Sequence, residues 1–151
     1  MKPLQTTPEE VLRKAIQDEV DSREYYLRLA KVVRSAKAKE RLERLADEQL
    51  MHRAKLERKY REVIGSAPPA PQPPTAEIPG DAEGMDLIRV VKLALENERD
   101  SESTYRFLAE RVPGTELGRL FLELAELEWT HKTELQHEYD RIAPDRFLSD
   151  L

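Results

Sequence analysis

Apolar residues return along this chain at alternating steps of three and four, on four successive stretches. The first stripe is Leu12, Ala15, Glu19, Ser22, Tyr26, Leu29, Val33, and the second is Ala38, Leu42, Leu45, Gln49, His52, Leu56, Tyr60, Val63. The third is Val91, Ala94, Glu98, Ser101, Tyr105, Leu108, Val112, and the fourth is Leu117, Phe121, Leu124, Glu128, His131, Leu135, Tyr139, Ile142. Such spacing keeps one face of an α-helix turned to one side, so the pattern predicts four long amphipathic helices. Thr7, Pro8 and Glu10 form the start signal of the first helix, a Thr-x-x-Glu box with proline at the first helical position. A break near Arg34-Ser35 separates the first two helices, and Pro113-Gly114-Thr115 separates the last two.

The two halves are copies of one another. Ala15-Ile16-Gln17-Asp18-Glu19 with Tyr26 returns as Ala94-Leu95-Glu96-Asn97-Glu98 with Tyr105, 79 positions on. Leu45-Ala46-Asp47-Glu48-Gln49 with His52 returns at the same offset as Leu124-Ala125-Glu126-Leu127-Glu128 with His131. A repeat of this kind sets the architecture before any residue is given a role: two helical hairpins, about 7–64 and 85–142, stacked into one all-α domain. Between them, about 65–84, lies a proline-rich stretch. Proline-rich chain extends at about 3.1 Å per residue, enough to run the length of a helix of about 40 Å and join helices that point the same way. Its Pro-x-x-Pro spacings also fit an SH3-like groove, but the bundle topology itself requires the crossover.

Composition narrows the classes. Charged residues make up 36% of the 151 and aromatics only 6%, a balance that favours helix over sheet. The net charge is −5, with basic residues spread along the helices, so no basic face for nucleic acid is expected. With no cysteine, disulfides, thiolate metal sites and a cysteine nucleophile are excluded. The first residues lack an apolar signal region and no stretch approaches membrane-spanning length, so a soluble cytoplasmic protein is expected.

The stripes carry the chemistry. In each hairpin, residues equidistant from the turn face one another, which sets Glu19 level with Gln49 and His52, and Glu98 level with Glu128 and His131. Acids and imidazoles from all four helices thus meet in one layer at mid-bundle. Burying an unpaired carboxylate costs several kcal/mol, about a large share of a domain's whole stability. Divalent cations compensate carboxylate and imidazole together, and Glu-x-x-His places both ligands on one helix face.

On these residues, Ala-Ile-x-x-Glu with Tyr26, Ala-Leu-x-x-Glu with Tyr105, and Leu-Ala-x-x-(Gln/Glu)-x-x-His twice, the chain resembles the rubrerythrin-like branch of the ferritin-like superfamily. The resemblance covers about residues 9–64 and 85–142. It implies a ferritin-like four-helix bundle and a centre of two iron ions, or manganese, held by Glu19, Gln49, His52, Glu98, Glu128 and His131. By the same resemblance Glu19 and Glu98 are terminal ligands, Glu128 is a bridge, and each histidine serves one ion. The family pattern has Glu where this chain has Gln49, which leaves about one positive charge over. Glu48 is either the source of that missing charge or a carboxylate beside the ligands. Tyr26 and Tyr105 share the inner face, for packing or for hydrogen bonding to a ligand. Ser22 and Ser101 leave room near the layer, while Trp129 and His137 point away from it.

The expected function is that of a non-haem di-iron protein that oxidises Fe(II) or reduces peroxide or dioxygen. Rubrerythrins take electrons from an attached rubredoxin domain; without cysteine this chain cannot carry one, so a separate donor or ferrous iron itself must supply them. Two rival readings are a degenerate bundle used for metal binding or assembly, and a di-iron oxygenase of an organic substrate, which would need an apolar pocket beside the metals. A homodimer is expected. The tail 147–151 reads as a frayed end or as a docking peptide for a larger shell.

Overall fold

The computed structural model describes residues 7–143; the tail 147–151 lies outside them. Four helices account for most of that span: α1 Pro8–Val32, α2 Ala36–Ile64, α3 Leu87–Arg111 and α4 Glu116–Ile142. Among the described residues there is no strand. Each helix begins on a side-chain cap that satisfies a backbone N–H otherwise left without a partner. Thr7 Oγ1 accepts from Glu10 at 3.2 Å, Ser35 Oγ from Ala38 at 3.2 Å, Asp86 Oδ1 from Arg89 at 2.9 Å and Thr115 Oγ1 from Gly118 at 3.0 Å. At the far end of α2, Gly65 takes φ 88°, a left-handed turn that glycine adopts without strain.

The closest pairings are α1 with α2 and α3 with α4, the two hairpins. Their buried side chains form two apolar clusters, each drawing on all four helices. One is built around Tyr26, Leu29, Leu42, Leu45, Val91 and Leu135. The other is built around Leu12, Leu56, Tyr105, Leu108, Phe121 and Leu124. Between the two clusters runs the layer that holds the buried polar residues. The stripes are buried nearly throughout, but Val63 is 40% exposed. Its place opposite in the hairpin falls before the start of α1 at Pro8.

The connection from α2 to α3 is strapped along α1. Gln17 holds Gln72 from both sides, accepting its N–H at 2.8 Å and donating to its carbonyl at 3.2 Å. Asp21 accepts from the Thr75 N–H at 3.3 Å, Arg28 donates to the Ala76 carbonyl, and Arg34 meets Glu83 at 2.7 Å. These contacts advance along α1 in its own direction, so the segment returns the chain to the end where α2 started. There a 3-10 turn, Ala82–Gly84, buries Ala82 and Met85 in the first apolar cluster. The sequence pattern had not marked this turn.

Two outcomes test the packing. A Cβ at Gly118 would collide with the Val112 carbonyl, so Gly118→Ala is expected to destabilise by about 1–3 kcal/mol, read as a lower thermal midpoint. Glu102 ties α3 to α4, accepting from Lys132 at 2.7 Å and from Arg106 at 2.9 Å. The Lys132 ammonium, and then Arg106, hold its carboxyl below the ordinary 4.5. A depressed folded pKa gives stability that is complete above the unfolded value and is lost as pH falls through the folded one. Glu102→Gln is therefore expected to cost about 1 kcal/mol at neutral pH, and the gap from wild type should close in acid melts below about pH 4.

Candidate metal centre

The layer between the apolar clusters is polar because the repeat places its acids and imidazoles on the inward stripe. Glu19, Gln49, His52, Glu98 and Glu128 are all buried, Glu128 completely. His131 is less covered, its side chain 19% exposed. His52 Nδ1 stands 3.0 Å from Glu128 Oε1 and 3.6 Å from Glu19 Oε1. His131 Nδ1 stands 3.9 Å from Glu98 Oε2 and 3.8 Å from Glu48 Oε2. The two imidazoles lie parallel, 7° apart in plane and 5.8 Å between ring centres. The structure thus places Glu19, His52, Glu98, Glu128 and His131 near one another, together with Glu48, expected as a source of the missing charge. Gln49 is buried on α2, one turn from His52.

Few of these groups satisfy one another. Nδ1 of both histidines, both oxygens of Glu128, Oε2 of Glu19, Oε2 of Glu98 and Oε1 of Gln49 are buried without a hydrogen-bond partner. Among the described residues, the other buried side-chain atoms in that state are Nε of Arg23 and Arg53. His52 Nδ1 and Glu128 Oε1 face each other as an ion pair at 3.0 Å. An unmade bond costs about 1–3 kcal/mol, so the other five atoms of the layer rival the about 5–15 kcal/mol that holds an average domain together. Three buried carboxylates add a charge that neutral hydrogen bonding cannot cancel. Donor chemistry and geometry both suit divalent cations of the first transition row. The donor atoms of His52, Glu128 and His131 lie within 4.8 Å of one another, as do those of Glu48, Glu98 and His131. Ligand bonds of about 2.0–2.2 Å need only a small inward movement from that spacing.

The supporting contacts differ between the halves. Tyr105 donates its hydroxyl to Glu19 Oε1, the oxygen that also approaches His52, and leaves Oε2 of that carboxylate without a partner. Burial, reinforced by the Glu19 charge, raises the Tyr105 phenol well above its ordinary value, so it keeps its proton and remains a donor. Tyr26, its repeat partner, instead accepts from Asn97 at 3.3 Å. Packing is the main work of Tyr26, which is completely buried. Asn97 escaped notice because it lies off the stripe; the signal was its replacement of Asp18 in the other copy. Gln49 donates from Nε2 to Ser22 Oγ at 3.1 Å, so Ser22 orients that amide as well as leaving room. Trp129 is 48% exposed and His137 is exposed, both turned away from the layer.

Protonation follows from the same crowding. Burial by itself lowers the basicity of His52, but the adjoining Glu128 and Glu19 carboxylates outweigh it and lift its pKa to about 10. Burial raises the Glu128 carboxyl, with His52 pulling it back. A proton on His52 is therefore the smallest cation this layer can hold, and a metal ion would have to displace it.

No family model matches the chain, and no curated protein does. Solved structures do. A hypothetical protein from Pyrococcus furiosus is similar with a TM-score of 0.65 and 29% identity, over 92% of each chain. The bacterioferritin of Desulfovibrio desulfuricans, described as a diiron protein caught in different catalytic states, is similar with a TM-score of 0.68 and 18% identity. That match covers 95% of this chain and 85% of the other. The fold is the ferritin-like four-helix bundle; these likenesses do not single out the rubrerythrin branch. No helix among the described residues is long and apolar enough to cross a membrane.

Tyr105 supplies a test of the layer's geometry. Tyr105→Phe keeps the ring, which stacks on Phe121 at 6.1 Å, and removes only the bond to Glu19. Loss of such a supporting bond is expected to weaken metal affinity by about 10- to 100-fold, measured by calorimetric titration with Mn(II).

Proposed function

We propose that this protein holds two iron or manganese ions in the mid-bundle layer and oxidises Fe(II) at the expense of peroxide or dioxygen. The observation that carries this reading is the set of buried donor atoms without hydrogen-bond partners, contributed by all four helices to the mid-bundle layer. Glu19 and His52 serve one ion, Glu98 and His131 the other, and Glu128 stands between them. Bound there, the pair supplies one-electron redox chemistry and a place for the oxidant. The chain's own residues do the rest. Tyr105 fixes the direction of Glu19, the apolar clusters on either side keep bulk water out, and His52 gives up its proton when a cation takes its place. Without cysteine the chain has no thiolate iron centre to relay electrons, so ferrous iron as substrate, or a separate donor, provides them.

A cavity of about 480 Å³ opens beside Glu19. Its lining combines the carboxylates Asp18, Asp21, Glu77 and Asp100 with apolar surface from residues such as Ala15, Tyr25 and Ala76. The reading as a non-catalytic bundle draws on one observation, the tie between Gln49 and Ser22, which commits that amide to a structural contact.

Metal analysis of the purified chain, followed by anaerobic addition of Fe(II) and then of peroxide, decides between them. Two metal ions per chain are expected, with Fe(II) oxidised faster than in a His52→Ala variant. A chain that retains no metal and leaves Fe(II) at the buffer rate overturns the proposal in favour of the scaffold.

A further inference from the structure

The repeat is broken at one place that matters to charge. Where the second copy reads Leu127-Glu128, the first reads Glu48-Gln49, so the carboxylate is displaced by one residue rather than lost. One residue on a helix is a rotation of about 100°, which carries Glu48 from the inward stripe to its edge. From there it still reaches the layer: its Oε2 lies 3.8 Å from His131 Nδ1, and it forms a three-donor group with Glu98 and His131. Glu98, only 2% exposed, turns an unpartnered Oε2 into the same space. The position cannot be explained by repeat or packing, since its counterpart Leu127 packs against the apolar cluster.

Exposure divides the layer along the same line. The side chains of His52, Glu19 and Glu128 are 5%, 5% and 0% exposed, whereas those of His131 and Glu48 are 19% and 33% exposed. The side chains around His52 are the less exposed, although a cavity reaches Glu19; around His131 the layer meets solvent at Glu48.

We infer that Glu48 is the fourth carboxylate of the centre: it ligates the ion at His131 and Glu98 and makes that outer position the weaker, exchangeable one. This rests on the di-metal reading above. With Glu19, Glu98 and Glu128 it brings the acid count to four, matching the charge of two divalent ions, while Gln49 stays a neutral residue tied to Ser22. A part-exposed carboxylate is rehydrated as it lets go of an ion, whereas a buried one is left without a partner, so the outer ion leaves by Glu48 without opening the bundle.

Calorimetric titration of the metal-free chain with Mn(II) at neutral pH tests this. Wild type is expected to bind two ions in two steps of unequal affinity. Glu48→Gln should leave the tighter step unchanged and weaken the second by about 10-fold or more. Adding Gln49→Glu to Glu48→Gln, which moves the acid back to the repeat position, should restore the second step. Circular dichroism melts confirm that each variant folds, which the exposure of Glu48 favours. Two unchanged steps in Glu48→Gln, or a single ion in wild type, overturn the inference while leaving a metal centre in place. A wild-type chain that binds no Mn(II) or Fe(II) at all overturns the di-metal reading itself.

Discussion

Charge buried at mid-bundle without enough protein cations to balance it is the constraint around which this molecule is arranged. Three fully or nearly fully buried carboxylates, Glu19, Glu98 and Glu128, share their layer with two imidazoles and one amide. Apolar packing above and below cannot relieve them; it deepens the problem by excluding water. Yet that packing forms two complete clusters, each sealed by residues from all four helices. The bundle is therefore stable enough at both ends to hold an unfavourable middle in place, which is the condition for a preorganised binding layer.

The internal repeat makes such a layer easy to build, and its imperfections make it directional. Two copies of one hairpin present near-identical stripes, so a two-fold arrangement of acids and imidazoles arises from one motif used twice. Three substitutions then separate the halves: Gln49 against Glu128, Glu48 against Leu127, and Asn97 against Asp18. Each has a visible contact. Gln49 is tied to Ser22, Glu48 approaches His131, and Asn97 donates to Tyr26 in place of any contact between that tyrosine and a carboxylate. The result is two halves of unequal exposure within a single layer.

The parts legible in the sequence were those governed by period and by repeat. Helix periodicity located the four elements, Thr7 was recognised as a cap, and reflection about the turns brought Glu19 level with His52 and Glu98 level with His131. What escaped were features that depend on side-chain length or on chain outside the stripes. Glu48 was legible as a source of the missing charge, but a helical wheel puts it at the edge of the inward face, and only the length of its side chain carries it to His131. Asn97 is likewise off the stripe and found by comparison between copies, not by period. The turn at Ala82–Gly84 gave no signal because its burial is imposed from outside, by the connection being strapped down along α1 through Gln17, Asp21, Arg28 and Arg34. Val63 shows the converse: its period is right, but its place opposite falls before the start of α1 at Pro8.

The same strap shapes what can approach the centre. Thr75, Ala76 and Glu77 of the connection join residues of α1 and α3 in lining the cavity beside Glu19. Its carboxylates raise the local concentration of cations. Within it Glu19 is held from behind by Tyr105, a donor that burial keeps protonated. A cation drawn into this space meets one oxygen already committed and one free, which orients the encounter before any ligand moves. Under the proposed function this favours ferrous iron, and it does so through residues that composition alone would have assigned to a solvated surface.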